Sequence, residues 1–472
     1  MDPLKSINEI IEKNKEEMLA TLGELIKLKS VVAESKEDMP FGEDVHKAFS
    51  YMLKKGRDNG FKTKNVDNYG GHIDFPGEEG GVMGIVGHLD VVPEGTGWIH
   101  EPYGGEQIDG MIYGRGTMDD KGPVVASFYA MKAIKEAGIK LDKTVRLVLG
   151  LDEETNWIGM EHYLSKVEPP DFGFTPDGDF PAIHGEMGIL VFEIAKKLAK
   201  STDKGLELRT VRGGNAANMV PDNCRAVIRD ENIKNYSIIK EKVAAFRNEN
   251  KGKINCKGVG KSLEITTQGI SSHGAKPESG VNAISIMMEF LGQLNFVNED
   301  ANDFVEFYNK HIGYNLHGES LGCGFEDQVS GKLILNVGVI DFKTEAVTLT
   351  VNIRYPITVE GEDVYQAIMP VMNKYNLGVV KEKHEESIYL PSDDPMIVTL
   401  MDIYRKHTGD QDSQPLVIGG GTYARAIKNT VAFGARFPGE PELGHQKNEC
   451  ISVENLMKMT KIYGEAIYRL AY

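Results

Sequence analysis

Cysteine is scarce. The 472-residue chain holds four, Cys224, Cys256, Cys323 and Cys450, widely scattered and with no C-x-x-C pair. That excludes a thiolate zinc site and a disulfide framework. No run approaches 18 apolar residues, and the first residues carry no apolar signal segment, so neither a membrane span nor secretion is expected and the setting reads as cytoplasmic. Positive charge is in deficit, with 53 Lys and Arg against 70 Asp and Glu and a formal net charge of −17. This balance speaks against nucleic acid and anionic membrane as partners. Solubility accounts for part of the acid excess, and a carboxylate-rich site neutralised by cations would account for more. Several nucleotide and nucleophile motifs are also missing. Gly258–Ser262 reads GVGKS, but a phosphate loop needs glycine where Asn255 stands. Gly269–His273 reads GISSH, not a nucleophile elbow, and Gly419–Gly421 lacks dinucleotide-binding spacing.

What is present is a chain too long for one compact core, with 41% hydrophobic residues, so two or three soluble domains are expected. Its organising stretch is Gly81–Pro93, GVMGIVGHLDVVP. Val82–Val86 is a short apolar run of buried-strand type, followed by His88 and Asp90. Two further runs behave alike. Thr144–Leu151 ends in Asp152-Glu153-Glu154, and Phe172–Thr175 ends in Pro176-Asp177. Three buried strands that each end in acid or imidazole, with helical runs between them, predict a site at the carboxyl ends of a mixed α/β sheet.

Around these, apolar periodicity predicts helices over 3–29, 43–59, 124–137, 395–407 and 453–471. Asp109-Gly110 marks a hairpin. Asp119-Asp120 stands where a helix begins, which allows either capping or a metal role. From about residue 187 strand-like runs alternate with helices, and from about 388 the first texture returns. The expected architecture is a catalytic mixed-sheet domain formed by residues 1–186 and 388–472. An α+β lid of residues 187–387 is inserted into it and is long enough for two ferredoxin-like halves.

The stretches GHLDVVP, GRGTMDDKG, DEET, TPD, NMVPD (218–222), SSHGAKPESGVNA and GHQKNE occur in this order between residues 87 and 449. Together they resemble the dinuclear-metal family of aminoacylases, glutamate carboxypeptidases, desuccinylases and dipeptidases. The length and GGGTYAR (419–425) are most similar to its PepV-type bacterial dipeptidase branch. The resemblance implies two divalent ions held by His88, Asp119, Glu154, Asp177 and His445, with Asp119 bridging. It makes Glu153 the general base, Asp90 the partner that orients His88, and His273 the lid donor to the oxyanion. It gives Asn218 and Arg354 to the substrate's C-terminal carboxylate, a pairing that suits the guanidinium fork. Gly420, Thr422 and Arg425 would line the cleft. A set of three carboxylates and two imidazoles suits zinc first, with manganese or cobalt also possible. The implied function is a metalloprotease, a dipeptidase that hydrolyses unblocked dipeptides. Its rivals are an N-acyl amino acid or succinyl-diaminopimelate deacylase and a non-catalytic metal-dependent binding protein. A lid of this length can supply His273 within one chain, so a monomer is expected.

Overall fold

In the computed structural model, which describes residues 2–200, 204–232, 234–249 and 253–472, the chain divides into two compact units. The first comprises Met1–His184, Leu390–Leu416 and Gly421–Tyr472, and the second Gly185–Tyr389 with Val417–Gly420.

The first unit is built on the three apolar runs. Thr144–Gly150, Val82–His88 and Phe172–Thr175 lie side by side and parallel. Strands buried on both faces need no polar alternation, which is why these segments read as continuous apolar runs. Thr430–Phe433 continues the parallel set, while Gly70–Phe75 and Lys62–Val66 extend the other side antiparallel. The sheet is therefore mixed, as expected. The helix Lys121–Glu136 packs on it and on Val453–Ala471, and Ile134, Tyr463 and Ile467 sit in its core.

The helix predicted over 3–29 is two helices, Pro3–Lys13 and Lys15–Ile26. Asn14 breaks it with φ −88° and ψ 3°, and its amide turns inward to donate to Glu136 at 2.9 Å. The break lets both pieces bury their stripes, Ile7 and Ile11 in one, Leu22 and Leu25 in the other. The helix predicted from Val124 begins at Lys121, with Asp120 at the N-cap position but making no side-chain capping hydrogen bond.

The second unit holds one eight-stranded sheet, antiparallel throughout. The two halves expected for it meet where Glu207–Gly213 pairs with Ile334–Phe342, and they share one core. Sequence periodicity overlooked Gly378–Glu385 because this edge strand is charged and exposed along most of its length.

The contact between two of the site-bearing strands rests on glycine. Gly173 pairs with Gly84, and a Cβ on Gly173 would overlap the Gly84 carbonyl oxygen. Gly173→Ala is expected to cost about 2–3 kcal/mol by forcing the strands apart. Urea unfolding would read this as a lower midpoint at unchanged slope. A loss below about 0.5 kcal/mol would show that the strands have slack.

Candidate metal centre

Each parallel strand delivers its polar residue at its carboxyl end. His88 closes the Val82–His88 strand and is fully buried. Its Nδ1 lies 3.0 Å from the Asp90 carbonyl oxygen and 3.3 Å from Asp90 Oδ1. Its Nε2 lies 3.1 Å from Asp119 Oδ1 and 3.7 Å from Asp177 Oδ2. The other oxygen of Asp119, Oδ2, is 3.0 Å from His445 Nε2, which also meets Glu154 Oε1 at 2.9 Å. One carboxylate thus stands between two imidazoles. Asp120 points elsewhere, and its Oδ2 accepts the backbone N–H of His88 at 3.1 Å.

Asp90 does more than face His88. Its two oxygens accept the backbone N–H groups of Glu153 and Glu154 at 3.1 and 3.0 Å. The acidic turn after the Thr144–Gly150 strand is therefore hung on the residue that follows the neighbouring strand. Trp157 Nε1 also holds this turn, donating to the Glu153 carbonyl at 2.7 Å. The ring of Tyr423 stands edge-on to His88, with centroids 6.2 Å apart.

The electrostatics record crowding of like charge. Burial raises the Glu153 carboxyl well above its ordinary range, and Asp177, Glu154 and Asp119 add to this against the opposite pull of His88. Burial, followed by the charge of Asp119, pushes Asp177 up to about 7. Glu154 is raised by the same two causes. Burial also acts upward on Asp119, but the hydrogen bonds from His445 and His88 prevail and hold it below the usual range. The imidazoles mirror this. Burial acts downward on both, yet the carboxylates raise His88 well above its ordinary value and His445 to about 11.

Such a set fits divalent cations. Ligand atoms of His88, Glu153 and Asp177 lie within 4.8 Å of one another, as do those of His88, Asp119 and Glu154. The donors are oxygen and imidazole nitrogen, and the Oδ1 of buried Asp120 has no hydrogen-bond partner. Excess negative charge in a buried place is stable when cations enter it.

Thr422 and Arg425 belong to this unit, where the Thr422 hydroxyl caps the turn Tyr423–Ala426 by accepting from the Ala424 N–H at 3.1 Å. Asn218, His273, Arg354 and Gly420 belong to the second unit. There the Asn218 and His273 segments lie together, with a Met219–His273 bridge and a Gly274 N–H to Asn218 carbonyl bond of 2.6 Å. Asn336 steadies that loop by donating to the carbonyls of Ala217 and Met219, both at 2.9 Å. Arg354 is buried and donates through Nε to Asn352 at 2.9 Å. A Cβ on Gly419 would stand 3.3 Å from Ala275 and 3.7 Å from the Arg354 side chain, so this glycine borders both.

Residue-by-residue reading missed Glu449 and Arg115. Both lie inside motifs quoted above, but nothing in the sequence pairs residues so far apart. Glu449 is fully buried, and its Oε1 accepts the N–H groups of Gly116, Met118 and Asp119.

Comparison with known proteins gives the family. The sequence profile of peptidase family M20/M25/M40 matches residues 84–469. The chain belongs to that family and is a hydrolase, a peptidase, and the family implies divalent metal ions. Among its relatives is YtjP of Bacillus subtilis, carried under a provisional dipeptidase name. YtjP is 37% identical over 469 residues, spanning 98% of this chain and 99% of that protein. The fold is shared with human carnosine dipeptidase 1, at a TM-score of 0.60, 16% identity and coverage of 100% and 99%. It is also shared with the Saccharomyces cerevisiae di-peptidase Dug1p, at 0.56, 14% and full coverage of both chains. Among the described residues no helix is long and apolar enough to cross a membrane.

The shifted groups set a pH dependence. Asp177, His88 and His445 all have folded values above their ordinary ones. A raised group contributes stability in full below its unfolded value and loses it as pH rises toward the folded one. For Asp177 the window runs from about 4 to about 7, and for the imidazoles it begins at about 6.5. Kept in chelator, the protein is expected to melt at a lower temperature at pH 8 than at pH 5.5, and added divalent ion should reverse the loss. Thermal melts across this range decide the matter. A chelator-treated melting temperature that climbs with pH would overturn it.

Proposed function

We propose that this peptidase is a metal-dependent dipeptidase that hydrolyses the amide bond of unblocked dipeptides and releases the C-terminal amino acid. The observation that carries the reading is Asp119, whose two oxygens each meet a different imidazole while Glu153 stands in the same cluster. The dipeptidase names of YtjP and Dug1p support the substrate class.

In this reading His88, Asp119 and Asp177 would hold one divalent ion and Asp119, Glu154 and His445 the other, zinc first among the candidates, and the pair would supply water activation and polarisation of the scissile carbonyl. Glu153 accepts the proton of the attacking water. The water oxygen bonds to the carbonyl carbon, the C–N bond breaks, and Glu153 returns the proton to the departing amine nitrogen. Asp90 keeps His88 and the Glu153 turn in place. The resemblance assigns His273 to the developing oxyanion, Asn218 and Arg354 to the substrate carboxylate, and Gly420, Thr422 and Arg425 to the cleft. On the same reading, residues 187–387 act as the lid of a catalytic domain made from 1–186 and 388–472, and the enzyme is a cytoplasmic monomer.

The test is hydrolysis of Ala-Ala, a β-alanyl-His and an N-acetyl amino acid by chelator-stripped protein, before and after zinc, manganese or cobalt is restored. Cleavage of the free dipeptides alone, and only with metal, is expected. Cleavage of only the acylated compound would make the protein a deacylase, and no cleavage with any metal would make it a binding protein. Glu153→Ala is expected to lower kcat by at least about 10²-fold with unchanged metal content. Full turnover by that variant would remove the base assignment. Sedimentation is expected to give the mass of one chain, and a tight dimer would refute the monomer.

A further inference from the structure

A second charged arrangement lies behind the metal-facing residues. Glu449 Oε1 accepts three backbone N–H groups, from Gly116 at 3.0 Å, Met118 at 2.8 Å and Asp119 at 3.2 Å. Its Oε2 accepts from Arg115 at 2.7 Å, and both side chains are at most 2% exposed. The backbone carbonyl of Glu449 accepts from the Gly114 N–H at 2.9 Å. Arg115 in turn donates to the carbonyls of Gln446 at 3.2 Å and Pro93 at 3.4 Å, and its guanidinium lies over the Trp98 ring. The 114–119 loop is thus wrapped around one carboxylate of the segment that carries His445.

A buried ion pair is an expensive way to close a loop. The expense has a geometric return here. Three converging N–H groups fix the backbone up to and including Asp119. The Arg115 bond to Gln446 fixes the residue next to His445. The two side chains that meet at 3.0 Å, Asp119 Oδ2 and His445 Nε2, therefore hang from a common clasp. His88 and Asp177 do not, because each is set by its own strand end.

We infer that Glu449 and Arg115 are a positioning pair for the centre: they act on both ions through Asp119, which the two share, and a second time on the ion of the Asp119–Glu154–His445 side through His445, so that this ion's affinity depends on them most. The inference rests on the two-ion reading above.

The experiment is calorimetric titration of chelator-stripped full-length protein with manganese alone, then with zinc alone. Wild type is expected to show two binding events. Glu449→Gln keeps an acceptor oxygen but leaves Arg115 without its counter-charge. It is expected to weaken one event by about 10–100-fold and the other, which shares only Asp119 with the clasp, clearly less. Its kcat should fall in parallel, with KM nearly constant. Arg115→Lys keeps the charge and loses the fork, so it should weaken the same event to a smaller degree. Two unchanged events, or two events weakened alike, would overturn the inference. So would failure of both variants to fold, since a pair the whole fold requires is not a positioning pair. Fewer than two events in wild type would instead bring down the two-ion reading itself.

Discussion

The structure depends on placing several carboxylates close together out of water. Asp119, Glu153, Glu154 and Asp177 converge around His88 and His445, and burial raises three of the four. A protein tolerates such a cluster when the backbone leaves the side chains no other place to go and when cations can enter. The parallel strands meet the first condition. Two of the three neighbouring strands end in register at His88 and Gly150, the third stops about two residues short at Thr175, and each continues into a polar turn, so convergence follows from the sheet's connectivity.

Two acids outside the implied metal set organise the acids inside it. Asp90 gathers the N–H groups of residues 153 and 154, and Glu449 those of 116, 118 and 119. In both cases a buried carboxylate is satisfied by main chain, and the main chain is thereby held. Neutral side chains would satisfy fewer donors and hold them less strongly, because charge-assisted bonds are roughly twice as strong as neutral ones. The residues that carry chemistry stay on short turns, and the rigidity of those turns comes from elsewhere in the chain.

Much of this was legible beforehand. The apolar runs before His88, Glu153 and Asp177 predicted strands that the structure contains, and the alternation of helix with buried strand predicted the mixed sheet. His88, Asp119, Glu154, Asp177 and His445 were named from short motifs, and the structure draws their side chains together. Other features were hidden for physical reasons. The break at Asn14 depends on a partner 122 residues away, Glu136. The clasp at Glu449 is longer in range still, since a carboxylate's backbone partners leave no trace in composition or period. The edge strand Gly378–Glu385 lacks a buried face and so lacks the alternation by which strands are recognised.

The division of the chain bears on the order in which the molecule is made. Residues 185–389 are nearly continuous and carry their own sheet and core, whereas the core of the other unit joins Ile7 and Leu22 from the start of the chain to Tyr463 and Ile467 from its end. During synthesis most of the second unit, residues 185–389, emerges while the split one still waits for its closing helix, Val453–Ala471. Until that helix arrives, the early strands have to persist as a partly covered sheet. His445 and Glu449 are also still to come, so the acidic centre is among the last features of the protein to be assembled.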